Sequence, residues 1–153
     1  MNKLEIGSKA PDFKGLNQDG KEIKLSDFAG KNLILYFYPK DSTPGCTAEA
    51  CDLRDNYDMW LSKSYEVLGI SPDSQKSHQN FIEKHNLPFD LISDTEKEIL
   101  IVYNAWGEKS MYGRKYMGVL RKTYVINSEG IIENIFDKVK TKDHSNQIIK
   151  EII

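Results

Sequence analysis

Six consecutive apolar residues, Leu33-Ile34-Leu35-Tyr36-Phe37-Tyr38, stopped by Pro39, constrain this chain more than any other stretch. A run of that length with proline behind it reads as a buried strand, because proline cannot donate to a ladder hydrogen bond. After it the period of the pattern changes. Between residues 47 and 62, Ala50, Leu53, Tyr57, Trp60 and Leu61 recur at spacings of three and four, which predicts one helix with a single apolar face. Strand and helix are joined by Lys40-Asp41-Ser42-Thr43-Pro44-Gly45-Cys46, and Cys51 follows five residues later. These are the two cysteines of the chain.

The remaining pattern surrounds that junction with alternating elements. Residues 12–16 and 21–25 read as a hairpin around Asn17-Gln18-Asp19-Gly20, followed by a short turn at 27–30. Strands are expected at 65–70 and 89–92, and helices at 74–85, with Ser74 or Ser77 as cap, and at 95–103. A hairpin of 121–126 and 131–136 turns at Asn127-Ser128-Glu129-Gly130, and 143–152 closes the chain as a helix. Such an order implies a mixed central sheet flanked by helices, an α/β architecture with an N-terminal β-hairpin. A cysteine where a core strand passes into a helix makes a thioredoxin-like fold the natural choice. With no repeat or low-complexity linker, residues 1–153 are expected to form a single domain.

A formal net charge of -2 offers no global attraction for nucleic acid or anionic lipid. The N-terminal residues lack the apolar core of a secretory leader, and the runs at 33–38 and 99–103 are too short to span a bilayer. A cytoplasmic location is therefore expected. In that reducing compartment two close cysteines mark redox catalysis or metal binding rather than a static cross-link.

Cys46 falls in the first helical turn, where unpaired N–H groups and the dipole attract negative charge on sulfur. Thr43 brings a hydroxyl three residues earlier, able to donate and to accept. Pro39 walls off a pocket from water, and Pro44-Gly45 permits a tight approach to the amides at the helix start. Such a donor site suits a substrate whose transition state spreads negative charge over two adjacent oxygens, which is a peroxide. Thiolate attack on one oxygen would leave Cys46 as a sulfenic acid, and a second thiol, Cys51, would protect it from further oxidation. Residues five apart on a regular helix have Cα atoms about 8–9 Å apart, whereas a relaxed disulfide needs roughly 7 Å or less. The spacing thus predicts a folded helix in the reduced protein and a melted segment, residues 43–54, in the oxidised one. A buried cysteine also serves as a small hydrophobe, and Cys51 alone fits that role.

Pro39-x-x-x-Thr43-Pro44-Gly45-Cys46 resembles the active-site motif of the peroxiredoxins. The continuation from Thr47 to Asp55 is similar to that of the bacterioferritin comigratory, or Q-type, subgroup. So are Trp106-Gly107-Glu108-Lys109, Met111-Tyr112-Gly113, Tyr116-Met117-Gly118 and the strand from Gly118 to Ile126. The resemblance implies that Cys46 is the peroxidatic cysteine, Thr43 the hydroxyl that positions peroxide, Pro39 the shielding proline and Gly45 part of the pocket. It implies that Arg121 is the active-site arginine and Cys51 the resolving cysteine of an intramolecular disulfide. It further implies hydrogen peroxide and organic hydroperoxides as substrates, thioredoxin as reductant, no metal or organic cofactor, and a monomer. Asn127 stands where many relatives carry Asp.

Without the resemblance Arg121 reads as a solvated charge at a strand edge. Glu49 reads either as a hydrogen-bond partner near Arg121 or as a first-turn acid facing the helix dipole. Residues 109–122 carry basic side chains between Tyr112 and Tyr116, a pattern that reads as a solvated loop rather than a nucleic-acid patch. Trp106 reads as a packing residue. His78, His85 and His144 are expected on exposed helix faces, none at metal-ligand spacing from another. Two other functions share these residues. A thiol–disulfide oxidoreductase normally uses Cys-x-x-Cys rather than four intervening residues. A copper or zinc module would give Thr43 and Arg121 no task.

Overall fold

The structure is a computed structural model that describes residues 4–152. Strands β1 (Lys14–Asn17) and β2 (Glu22–Lys24) form the N-terminal hairpin, and a 3-10 turn, Leu25–Phe28, leads to β3 (Asn32–Phe37). Then come α1 (Pro44–Asp55), α2 (Tyr57–Ser62), β4 (Tyr65–Ser71), α3 (Gln75–His85) and β5 (Asp90–Ser93). The second half adds α4 (Glu98–Val102), β6 (Trp106–Met111), β7 (Arg114–Val119), β8 (Lys122–Ile126), β9 (Ile132–Phe136) and α5 (His144–Ile152).

Seven strands make one mixed sheet in the order β2-β1-β5-β4-β3-β8-β9. β3 pairs parallel with β4 and antiparallel with β8, so it lies inside the sheet with neighbours on both edges. Successive strand side chains point to opposite faces, and here both faces are covered. Leu33, Leu35 and Phe37 enter a core with Ile99, Leu100 and Tyr103 around α4. Ile34, Tyr36 and Tyr38 enter the other core with Cys46, Ala50, Leu53, Trp60, Phe81 and Ile148 from the helices. Burial on both faces is why this strand is a continuous apolar run.

Several expected boundaries move, each for a local reason. The single helix over 47–62 is two helices, broken at Asn56, whose side-chain amide donates to the Asp52 carbonyl at 2.9 Å. Asparagine offers the backbone that alternative to helical bonding. The restart turns Leu61 outward, 45% exposed, while Leu53 and Trp60 are fully buried. The helix expected over 95–103 begins only at Glu98, because Lys97 has φ 63°, a left-handed conformation a helix cannot contain. Residues 109–122, read as a loop, are mostly the β6–β7 hairpin, which lies outside the main sheet. Its turn residues Tyr112 and Gly113 both have positive φ, as a tight two-residue hairpin turn requires. Arg121 immediately precedes β8 rather than opening it.

The histidines also differ from expectation. His78 and His144 are completely buried, and only His85 is partly exposed. Trp106 packs against the core as expected, with the Lys97 ammonium 5.3 Å from its ring centre. Among the described residues no helix is long and apolar enough to cross a membrane.

The outward turn of Leu61 separates two leucines of the same predicted face. Leu53→Ala should cost about 2–5 kcal/mol, as for fully buried leucines, and Leu61→Ala less than about 0.5 kcal/mol. Denaturant unfolding of the two variants checks this.

Candidate active site

The loop from β3 to α1 is held by a buried polar network that its sequence does not advertise. The Tyr38 hydroxyl donates to Asp41 Oδ1 at 2.6 Å, and His78 Nδ1 lies 2.7 Å from Asp41 Oδ2. The Ser77 hydroxyl donates to the same oxygen at 2.7 Å, and the Asp41 amide donates to Asp73 Oδ2 at 2.8 Å. The second ring nitrogen of His78 is 3.1 Å from the Ile92 carbonyl. Carboxylate and imidazole atoms of Asp41, Asp73 and His78 lie within 4.8 Å of one another, a proximity invisible in the sequence spacing. Each is engaged in bracing the loop. That bracing holds Ser42 at φ 64°, a conformation costly for a residue with a side chain.

Behind this strained residue the helix starts cleanly. Thr43 is the N-cap in extended conformation, Pro44 occupies the first turn, and the first helical bond runs from the Thr47 amide to the Thr43 carbonyl at 2.8 Å. Helix geometry leaves the Gly45 and Cys46 amides without partners inside the helix. The Thr43 hydroxyl donates to the Lys40 carbonyl at 2.8 Å, so its lone pairs are free to accept from a bound group. Pro39, half-buried, follows Tyr38 at the head of the loop.

Arg121 reaches the same place by strand register. Phe37 pairs with Lys122, so Arg121 stands across from the end of β3 where the loop departs. Its Nη2 donates to Cys46 Sγ at 3.2 Å, and its Nη1 to Glu49 Oε1 at 2.7 Å. A Cβ at Gly45 would lie 3.4 Å from Nη2, so glycine keeps this approach uncrowded. Cys46 is 1% exposed and Glu49 fully buried. The guanidinium therefore faces the sulfur from one side while Glu49 fixes its plane from the other.

Burial pushes the Glu49 carboxyl up to about 7, against the opposing pull of Arg121. Its Oε2 makes no hydrogen bond among the described residues, although His144 Nε2 is 3.6 Å away. His144 Nδ1 donates to Gln147 Oε1 at 2.9 Å, and Nε2 lies 2.8 Å from the Thr123 hydroxyl. Burial lowers His144 to about 4.

The structure thus brings Pro39, Thr43, Gly45, Cys46 and Arg121 to one end of the sheet. Cys51 lies on the same unbroken helix as Cys46, both thiols are free, and Cys51 is turned towards α3. Asp41, His78 and His144 were missed as contributors. Their signal would have been a polar side chain with no helical-face partner, which the chain also shows at many exposed positions.

A buried thiol at a helix start, met by a guanidinium at the end of the central strand, defines a thiol-based redox protein of thioredoxin fold. Residues 6–135 match the AhpC/TSA family, and the chain belongs to it, among the Q-type, bacterioferritin comigratory peroxiredoxins. Peroxiredoxin Bcp of Bacillus subtilis (strain 168) is 45% identical over 149 residues, covering 97% of this chain and 95% of the relative. The bacterioferritin comigratory protein of Xanthomonas campestris, described in trapped intermediate and ligand complexes for its alkyl peroxide reduction activity, superposes with a TM-score of 0.87. It is 34% identical and covers 96% of this chain and 94% of that one. A cysteine-to-serine variant of peroxiredoxin Q from Xylella fastidiosa gives a TM-score of 0.92 at 28% identity, covering 99% and 97%. The chain is accordingly a thiol peroxidase.

The two buried groups beside Arg121 give stability opposite pH slopes. The folded protein keeps a proton on Glu49 up to about pH 7, whereas the unfolded chain releases it near the ordinary value of 4.5. That contribution is complete below the lower value and is lost as pH rises through the higher. His144 acts in reverse: it is neutral when folded down to about pH 4 and protonated below 6.5 when unfolded, so its contribution grows with pH between them. Glu49→Gln removes only the first slope. Its stability should climb with pH relative to the parent between about pH 5 and 7, read from denaturation midpoints at several pH values.

Proposed function

We propose that this chain reduces hydrogen peroxide and organic hydroperoxides through Cys46, with Cys51 as resolving thiol and thioredoxin as the reductant. The single observation that carries this is the 3.2 Å contact from Arg121 to a sulfur held at the start of α1. In the first step Cys46 sulfur attacks the nearer peroxide oxygen and the O–O bond breaks. Sulfur becomes a sulfenic acid, and the farther oxygen leaves as water or an alcohol once protonated. Arg121 and the Gly45 and Cys46 amides face the charge that develops on the two oxygens. Thr43 accepts the peroxide hydroxyl proton as a hydrogen bond and so sets the attack direction. Pro39 and Gly45 shape the pocket.

In the second step Cys51 displaces the sulfenic oxygen, and the Cys46–Cys51 disulfide is reduced by a dithiol protein. The organic substrates follow from the alkyl peroxide activity named for the Xanthomonas protein. Disulfide formation requires α1 to unwind, since a regular helix holds residues five apart beyond disulfide reach. Unwinding over residues 43–54 would release Glu49 from Arg121 and Asp52 Oδ2 from the Ser145 amide, now 2.7 Å apart. We further read residues 1–153 as one domain that works as a cytoplasmic monomer.

Intact mass after one equivalent of hydrogen peroxide, with free thiols alkylated, tests the cycle. A loss of two hydrogens with no alkylation is expected, and an unchanged mass with two alkylated thiols would overturn the proposal. Cys46→Ser should abolish turnover, and Cys51→Ser should permit one oxidation and then stall with thioredoxin. Arg121→Gln should slow Cys46 oxidation by roughly 10²–10³-fold, the usual loss when one charge-stabilising donor is removed; stopped-flow measurement of the first turnover checks it. Amide hydrogen exchange should show protection across 43–54 in the reduced protein and its loss in the oxidised one.

A further inference from the structure

We propose that His85 is the base for the resolving step, taking the Cys51 thiol proton through Nδ1. This rests on the reading of Cys51 as the resolving thiol. Cys51 Sγ lies 3.9 Å from His85 Nδ1, a nucleophile and a base facing one another across the α1–α3 contact. A second, independent bond fixes the pair: Arg54, one turn after Cys51 on the same helix, donates from Nη1 to the His85 carbonyl at 2.8 Å. The Phe81 ring meets the imidazole edge-to-face at 5.2 Å and restricts its rotation. His78 and His144 each engage both ring nitrogens in buried hydrogen bonds and have none to offer a thiol.

The surroundings suit a proton acceptor. Burial, Lys84 on the same helix and Arg54 from α1 hold His85 below the ordinary imidazole value, which favours the neutral ring with a nitrogen able to accept. Arg54 is itself paired with Asp55 at 2.9 Å. Once protonated, the ring sits in the last turn of α3, where the helix dipole favours a cation. His85 ends α3 rather than continuing it, since Asn86 turns left-handed at φ 52°.

The step balances without any further reagent. While α1 is still folded the Cys51 S–H proton passes to His85 Nδ1, and as residues 43–54 unwind the Cys51 thiolate attacks the Cys46 sulfenic sulfur. The S–S bond forms, the S–O bond breaks, and the departing hydroxide takes a proton from the imidazolium to leave as water. His85 is regenerated.

The test follows disulfide formation by rapid quench and mass after stoichiometric hydrogen peroxide, in the parent and in His85→Gln, from pH 6 to 9. At pH 7 the variant should close the disulfide about 10²-fold more slowly, the low end of what a positioned base supplies. At pH 9 the rates should converge, because a thiol ionises unaided there. Equal rates at pH 7, or a deficit that persists at pH 9, would overturn the proposal. A companion measurement keeps the two readings apart. In a Cys46→Ser background, where no disulfide can form, His85→Gln should slow alkylation of Cys51 by iodoacetamide at pH 7 and not at pH 9. A parent that forms no Cys46–Cys51 disulfide would overturn the resolving role of Cys51, whereas unchanged alkylation would overturn the role of His85 alone.

Discussion

Burial of β3 on both faces is the constraint on which the rest depends. Leu33 to Tyr38 are each at most 1% exposed, so the strand cannot shift without opening two cores at once. Its end is therefore a fixed point, and two chain segments leave from beside it. One is the loop into α1, which carries Cys46. The other is the start of β8, which carries Arg121 by virtue of the Phe37–Lys122 pairing. Sulfur and guanidinium meet because both are suspended from neighbouring strand ends, a cheaper route to accuracy than a flexible loop closing on its target.

The site also shows how a buried charge is tolerated. Glu49 is wholly enclosed, and Arg121 answers it with a full charge. Burial and the guanidinium oppose each other and leave the carboxyl near neutrality, close to the point where it changes charge. His144 on its far side, lowered to about 4 by burial, adds no second cation at neutral pH. Arg121 is thus shared between Glu49 Oε1 and the Cys46 sulfur, 2.7 and 3.2 Å from its two terminal nitrogens.

Much of this was legible in the residues. The apolar run at 33–38, the break at Pro39 and the period change after Cys46 gave the central strand, the junction and the fold class. What escaped were facts about side chains meeting across the fold. Asn56 looks like any polar residue on a helix, yet its amide captures the Asp52 carbonyl and rotates Leu61 into solvent. The left-handed turn at Lys97 has no sequence signal either, because lysine is not a residue that usually adopts it. The convergence of Glu49 and Cys46 on Arg121, over 72 and 75 residues, was in contrast anticipated, through family likeness rather than through any local spacing. Asp41 and His78, 37 apart in sequence, were unreadable. Arg121 itself entered only through family likeness, since a strand-edge arginine is ordinary.

The contact between Asp52 and Ser145 reaches beyond the two helices it joins. Asp52, the neighbour of Cys51, accepts the Ser145 amide in the first turn of α5, and Trp60 Nε1 donates to the Ser145 hydroxyl at 3.1 Å. The terminal helix is consequently moored to the very segment that a disulfide would have to dismantle. If α1 lets go of Asp52, α5 loses the carboxylate that closes its positive end, though Trp60 keeps hold of the same serine. The tail of the molecule then becomes a reporter of thiol status, loosened but not set adrift.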